Sequence, residues 1–530
     1  MQRVPVTERP DLAQAAADHG FEFKAGDGIP FWDESAYYRF TLRQVEEDLE
    51  GPAEEIEGLC FQVVERAVND ETVMRRLGID EQYWDFIAGS WRNQEKHLYG
   101  RMDLSYDGDG AAKLLEYNAD TPTALYESAV FQWEWLEQAK DRGLIPEGYD
   151  QINDLHESIV RAFSKMGIEG LLHFACVEDI EDDKGTLDYL EECAQEAGLE
   201  TQFVAMQDIG ADDRGRFTDL DDRPITTLSK LYPWEWIMEE EFGRKVPGSG
   251  VRFIEPPWKA VLSNKGLLPL LWEMFEGHPN LLPAYFEGDP AARELGGNYV
   301  RKPLLSRQGA NIEIIRDGKT QTRNDGPYVG GDCIVQAFHP LPEIVGNYPL
   351  VGLWLVASQA VGLCIREDKN LDHRQGCPVG SARHPGLTDR KPDAIVRPRI
   401  HRYIGLSGHD LRRPTCRQQT WSEHGKIRRR TDPGYARLRP FDIQPRQHRA
   451  VFRAPVRAHR HAARGVAFLG RYRGSGGRET NRAPCPGHLG GAVYSDQFHH
   501  HPYPRSVGRG LRQYVLVQGV RPQTGRAVHG

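Results

Sequence analysis

Two stretches, Arg101-Met102-Asp103-Leu104 and Leu114-Leu115-Glu116-Tyr117-Asn118-Ala119-Asp120-Thr121-Pro122-Thr123, hold the densest polar cluster of the chain. In a strand, side chains two apart share a face, so Arg101 points with Asp103 and Glu116 points with Asn118. Two such strands side by side bring four groups to one spot. Two carboxylates and an amide oxygen are hard ligands suited to Mg²⁺ on nucleotide phosphates, and an arginine beside them suits the phosphates directly. The same spacing also describes a surface hairpin carrying a salt bridge.

Outward from this pair the chain alternates between helix and strand signals. Apolar residues fall at helical spacing over 152–166, residues 170–177 read as a short apolar strand, and 186–197 is amphipathic until Gly198 stops it. Such alternation predicts an α/β layer architecture. A second region begins at the strand-like 299–301, passes through the glycine-bearing tip Ser306-Arg307-Gln308-Gly309-Ala310-Asn311, and returns as a strand over 312–316. Residues 333–338 and 350–358 read as buried strands from their β-branched and aromatic content. Lys302 ends an apolar strand just before the glycine-bearing loop, where backbone N–H groups can close over a phosphate. Lys265 and Lys302 are otherwise ordinary solvated charges, and Arg366, expected just after a strand, is either a further cation for the site or a partner of its own acidic neighbours.

Charge divides the chain. From 373 to 530 there are 31 Lys and Arg against 8 Asp and Glu, leaving 35 against 69 for residues 1–372. The two parts thus carry about −34 and about +23. The basic residues of the second part are nearly all Arg, interrupted by Pro, Gly and His before any period is established. A GC-rich gene read in the wrong frame yields this composition. The expectation is a frameshift product with an irregular or disordered chain over 373–530, and the run His499-His500-His501 reads there as composition rather than as a metal site. No window approaches the roughly 20 apolar residues of a membrane span, and the charged N-terminus lacks a signal-peptide core. The eight cysteines show no CxxC pair. A cytoplasmic protein with free thiols is expected.

The strings Leu98-Tyr99-Gly100-Arg101-Met102-Asp103, Glu116-Tyr117-Asn118-Ala119-Asp120-Thr121-Pro122-Thr123, Tyr232-Pro233-Trp234-Glu235-Trp236, Arg301-Lys302-Pro303, Arg307-Gln308-Gly309-Ala310-Asn311 and Gly362-Leu363-Cys364-Ile365-Arg366 resemble, in this order, motifs of the glutathionylspermidine synthase family. The likeness covers about 31–372 and is closest in character to short members that lack an amidase domain. It implies an ATP-grasp fold over 1–372, with a preceding α/β substrate-side (pre-ATP-grasp) subdomain near 150–200. It implies ATP and Mg²⁺ as cofactors, and an acid–amine ligase acting through an acylphosphate on small-molecule acid and amine substrates.

Carried over by motif, Asp103, Glu116 and Asn118 resemble the Mg²⁺ ligands, and Arg101 resembles the cation on the transferring γ-phosphate. Lys265 and Lys302 resemble the lysines that hold ATP, and Ser306, Arg307, Gly309 and Asn311 resemble the mobile loop over the phosphates. Arg366 resembles a late phosphate-contacting arginine, and Gln336 falls where a hinge strand would meet adenine. Asp120, Thr121 and Thr123 resemble residues facing a glutathione-like acid, and Glu178 and Asp179 an acidic pair for a polycationic amine. For that pair a helix N-terminal acidic cap is the plainer alternative. Two rival readings are an ATP-grasp small-molecule kinase and a nucleic-acid-binding protein working through the Arg-rich tail. The first reading expects neither nucleic acid nor membrane as a partner.

Overall fold

A computed structural model of the 530-residue chain describes residues 1–18, 32–146, 148–178, 181–307, 309–368 and 514–515. Residues 444–511, like nearly all of the segment expected to be out of frame, lie outside the described residues. The exception is a two-residue strand at Tyr514–Val515. It comes from one of that segment's few apolar runs.

The architecture is mixed α/β, as the alternation predicts. β1 (Gln2–Pro5) and β2 (Ala36–Arg39) form an antiparallel ribbon. β3 (Tyr99–Ser105) and β4 (Lys113–Asn118) belong to a four-stranded antiparallel sheet with β17 (Tyr348–Val356) and β18 (Gln359–Asp368), in the order β18-β17-β3-β4. β5 (Gln151–Ile152) pairs with β19 (Tyr514–Val515). A parallel sheet follows, built from β6 (Leu171–Ala175), β7 (Glu200–Phe203), β10 (Thr227–Lys230) and β11 (Arg252–Ile254) in the order β11-β10-β6-β7. β8 (Gly210–Ala211) and β9 (Phe217–Thr218) make a short ribbon between its strands. β12 (Ala284–Phe286), β13 (Tyr299–Pro303), β14 (Glu313–Arg316), β15 (Lys319–Arg323) and β16 (Cys333–Ala337) form a second antiparallel sheet in the order β12-β16-β13-β14-β15.

The predicted helix over 152–166 is Leu155–Lys165, whose buried Leu155, Ile159, Ala162 and Phe163 recur at helical spacing. The helix expected over 186–197 begins earlier, at Glu181, and Gly198 ends it in a left-handed conformation as anticipated. Span 150–200 holds only β6 of the parallel sheet and the first residue of β7; the rest of β7, β10 and β11 lie beyond it. Local periodicity reveals strands but not their sheet partners.

The longest described helix, Gly51–Asn69, buries Ala53, Ile56, Cys60, Val63, Val64 and Ala67 against the main core. Its stripe also includes Glu57, which is buried and accepts a hydrogen bond from the Tyr117 hydroxyl of β4 at 2.5 Å. Gly100 on β3 leaves the room for that tyrosine, since a Cβ there would lie 2.8 Å from its ring. Among the described residues no helix is long and apolar enough to cross a membrane.

Candidate functional site

Cross-strand register brings the polar cluster together. Asp103 of β3 lies opposite Glu116 of β4, and Arg101 lies opposite Asn118. Asp103 is the hub. Arg101 Nε donates to its Oδ1 at 2.8 Å, Asn118 Nδ2 donates to Oδ2 at 2.9 Å, and Arg366 Nη2 lies 2.6 Å from Oδ1. Burial pushes the Asp103 carboxyl up, but Arg101 and Arg366 outweigh it and hold the group down at about 2. A carboxylate can only accept, so Asn118 must turn its NH₂ toward Asp103, leaving its carbonyl oxygen for another ligand. Arg101 also donates to the Thr123 carbonyl at 2.6 Å and lies over the Trp354 ring. Arg366 sits inside β18 rather than after a strand. It forms an ion pair with Asp103 across the sheet, and Arg3 and Tyr38 take its neighbour Glu367.

The two lysines reach the cluster from the other side. Lys265, in the turn before helix Leu267–Met274, points Nζ at Glu116 Oε1 at 3.1 Å and donates to the Ser306 carbonyl at 2.6 Å. Lys302 of β13 is buried and donates to the Leu115 carbonyl at 2.9 Å and to Gln336 Oε1 at 2.8 Å. Burial lowers its pKa to about 8. Gln336 Nε2 completes the bridge to the Leu114 carbonyl at 3.1 Å, so this side chain joins the two antiparallel sheets and orients Lys302. That differs from the expected place beside a base, because both polar ends of the amide are already occupied within the sheets.

The tip at 306–311 is set by backbone geometry. Gly309 and Asn311 both adopt positive φ, 69° and 57°, which glycine and asparagine tolerate best. Asn311 Oδ1 accepts from the Tyr328 backbone and Asn324 Nδ2 donates to the Gly309 carbonyl, so residues 324–328 buttress the tip. The Ser306 hydroxyl is buried and has no hydrogen-bond partner among the described residues. Arg307 reaches away from the lysines, donating to Thr121 Oγ1 at 2.5 Å, pairing with Glu235 at 3.5 Å and lying over the Trp236 ring.

On the expected substrate side, Thr121 is buried under Arg307 and Thr123 is partly exposed. Glu178 is exposed at the carboxyl end of β6, and Asp179 lies outside the described residues. Asp120 differs from the expectation of a substrate contact. Its Oδ1 accepts from Lys230 Nζ at 2.6 Å and its Oδ2 from the Trp234 backbone at 2.8 Å, both fully buried. Sequence reasoning missed Lys230 because a lone lysine after Ser229 carries no motif. Trp234 was within a quoted string, but its role is a backbone one that no side-chain pattern signals.

Three cations, Arg101, Arg366 and Lys265, thus pair with two carboxylates, Asp103 and Glu116, and a fourth, Lys302, lies within electrostatic reach of both, at a mostly buried place where the two antiparallel sheets meet. The surplus of positive charge is stable there only with an anion nearby, and a polyphosphate with its metal is such an anion. Among the described residues no three His, Cys, Asp or Glu side chains are placed to hold a metal by themselves. Two carboxylates and the outward carbonyl of Asn118 still fit Mg²⁺, which commonly takes one or two carboxylates and completes its shell with phosphates and water.

A charge cluster of this kind suits an ATP-dependent carbon–nitrogen ligase, the class in which its relatives are named. Residues 3–377 match the family described as glutathionylspermidine synthase preATP-grasp, and the chain belongs to that family. It is 37% identical over 374 residues to the Haemophilus influenzae protein named "Putative acid--amine ligase", across 68% of this chain and 93% of that protein. It is 28% identical over 371 residues to trypanothione synthetase of Crithidia fasciculata, covering 65% of this chain and 55% of that one. Identity to the bifunctional glutathionylspermidine synthetase/amidase of Escherichia coli is 25% over 366 residues, covering 64% and 58%. The chain therefore spans little more than half the length of the last two.

Proposed function

We propose that this chain joins the carboxylate of a glutathione-like peptide to a polyamine-like amine, using ATP and Mg²⁺. The observation that carries the reading is the pairing of Arg101, Arg366 and Lys265 with Asp103 and Glu116, with the buried Lys302 close enough to feel both carboxylates. Asp103, Glu116 and Asn118 would hold Mg²⁺, which supplies charge neutralisation on the phosphates when bound. The carboxylate oxygen of the acid attacks the γ-phosphorus of ATP and ADP leaves. The amine nitrogen then attacks the acyl carbon, the carbon–oxygen bond breaks, and phosphate and a proton are released.

Within that sequence Lys265 and Lys302 hold nucleotide phosphates, while Arg101 and Arg366 face the phosphoryl group in transfer. Ser306, Gly309 and Asn311 cover the phosphates, and the buried Ser306 hydroxyl, without a hydrogen-bond partner among the described residues, supports that role. Arg307 ties the same loop to Thr121, which would keep water from the acylphosphate. Thr121 and Thr123 line the acid's path. Glu178 and Asp179 are the carboxylates offered to the amine. Neither Ser nor Cys is asked to form a covalent intermediate.

The full chain with ATP, MgCl₂, glutathione and spermidine should release ADP at a rate that depends on both the acid and the amine, with an amide as product. ADP release indifferent to amine, accompanied by a stable phosphoester, would overturn the assignment in favour of a small-molecule kinase.

A further inference from the structure

The strap at 119–123 runs directly from the end of β4 and carries the two threonines of the acid's path. Three side chains fix it. Arg101 grips the Thr123 carbonyl and Arg307 grips Thr121. Both arginines belong to the ligand machinery, so their contacts are open to rearrangement when nucleotide and acid enter. The third grip has no such second duty. Asp120 is inserted between Lys230, at the carboxyl end of β10 in the parallel sheet, and the first backbone N–H of helix Trp234–Glu239.

That grip is saturated. Lys230 Nζ donates to Asp120 and to the Tyr232 carbonyl at 3.0 Å, and its third direction is covered by the Trp234 ring at 4.4 Å. Neither side chain of the pair is more than 1% exposed. A buried pair in which both carboxylate oxygens and the ammonium have partners fixes geometry more than it adds stability. It is also the join between the parallel sheet and the strap, because Trp234 Nε1 donates to the Glu255 carbonyl and Glu255 accepts from the Leu98 and Tyr99 backbone of the antiparallel sheet.

We propose that Asp120 and Lys230 form a latch that sets the strap, and that Lys230 is a positioning residue for the acid substrate although it touches neither substrate nor nucleotide. The inference rests on the ligase reading for its kinetic consequence and on geometry alone for its structural one. It assigns Asp120 an inward role in place of a substrate contact.

The test uses the full chain as wild type, as Lys230→Met, and as the double variant Lys230→Met/Asp120→Asn, which removes the unpaired charge that the single variant leaves buried. Hydrogen exchange read by mass spectrometry should quicken at least about tenfold over 119–125 in the double variant, with β6 and β7 unchanged. With glutathione as the acid probe, its KM should rise about tenfold or more, while the KM for ATP stays within about twofold. A double variant that folds with wild-type exchange over 119–125 overturns the latch. A strap that loosens while glutathione KM is unchanged overturns the positioning role. If neither variant folds, the pair serves the core and the proposal fails. Absence of glutathione-dependent ADP release in the wild type instead removes the substrate assignment and leaves the exchange result to decide the latch.

Discussion

The antiparallel sheet β18-β17-β3-β4 and the parallel sheet β11-β10-β6-β7 each have four strands, yet they place charge in opposite ways. In the first, Arg101 and Asp103 lie in mid-strand on a strand that is buried throughout, and Glu116 and Arg366 stand beside them. In the second, strand interiors are mainly apolar or neutral, and the charges of interest, Lys230 and Glu178, lie at or beyond carboxyl ends. Parallel strands covered on both faces leave room for chemistry only at their ends. Antiparallel strands with one face on a cleft can carry it along their length. The difference teaches where a substitution will damage architecture as well as chemistry.

The largest effect should come from the centre of the antiparallel sheet. Asp103→Ala should lower ADP formation by about 10²–10³-fold or more, since it removes the partner of the two arginines proposed to face the transferring phosphoryl group. It should also cost about 3–5 kcal/mol, because Arg101 and Arg366 would then be buried without their shared partner. Glu116→Ala should match it in activity but not in stability, its side chain being 16% exposed. Steady-state turnover and denaturant unfolding of both variants check the contrast. Equal stability loss would mean that the two carboxylates are not differently placed.

A smaller effect should follow from filling space. Gly352 on β17 lies opposite Asp103, and a Cβ there would lie 2.6 Å from Cys364 Sγ and 3.0 Å from Arg101 Cδ. Gly352→Ala should push Arg101 off Asp103 and cut turnover about 10–100-fold, at a cost of about 1–3 kcal/mol from overpacking. Gly170→Ala, beside the parallel sheet, meets nothing within 4 Å, though its positive φ carries strain. Turnover per folded molecule should be unchanged there, and a Gly352→Ala enzyme with normal turnover would show that Arg101 can move freely.

The third effect is a pH dependence confined to the antiparallel side. Burial sets the Lys302 pKa at about 8, below its ordinary 10.5. Between those values the unfolded chain holds a proton that the folded chain has lost, so this lysine's contribution to stability improves as pH rises through the window. Nucleotide affinity runs the other way because it needs the charge. Kd for ATP should weaken up to about tenfold from pH 7 to 9, and Lys302→Arg should flatten the profile. A wild-type profile flat to pH 9 would mean that Lys302 does not contact phosphate.

The sequence made the shared faces of β3 and β4 legible, though not their register, because a period of two leaves a clear trace in Arg101-Met102-Asp103 and Glu116-Tyr117-Asn118. The helix at Leu155–Lys165 was legible from the helical spacing of its apolar residues, and the strand at Leu171–Ala175 from its apolar run. Gln336 and Asp120 were read as facing ligands, whereas the structure turns them toward Lys302 and Lys230. Their partners lie 34 and 110 residues away on other strands, and no local pattern encodes such a meeting. Gly352 was equally silent, since its importance lies in an atom it lacks and in a neighbour 251 positions earlier, Arg101, that needs the space.

The smallest effect belongs to the end of the parallel sheet. Glu178 is exposed beyond β6, where an ion pair with an incoming ammonium group is screened by water and salt. One such pair contributes about 0–1 kcal/mol, so Glu178→Gln should raise the KM for spermidine by at most about fivefold and leave kcat and stability unchanged. The increase should shrink toward nothing as ionic strength rises from 0.05 to about 0.5 M, because the Debye length then falls well below the usual 10 Å. The KM for glutathione should not respond. A loss much larger than fivefold, persisting at high salt, would place Glu178 in a desolvated contact with the amine and would make the end of β6 as much a buried charge site as the middle of β3.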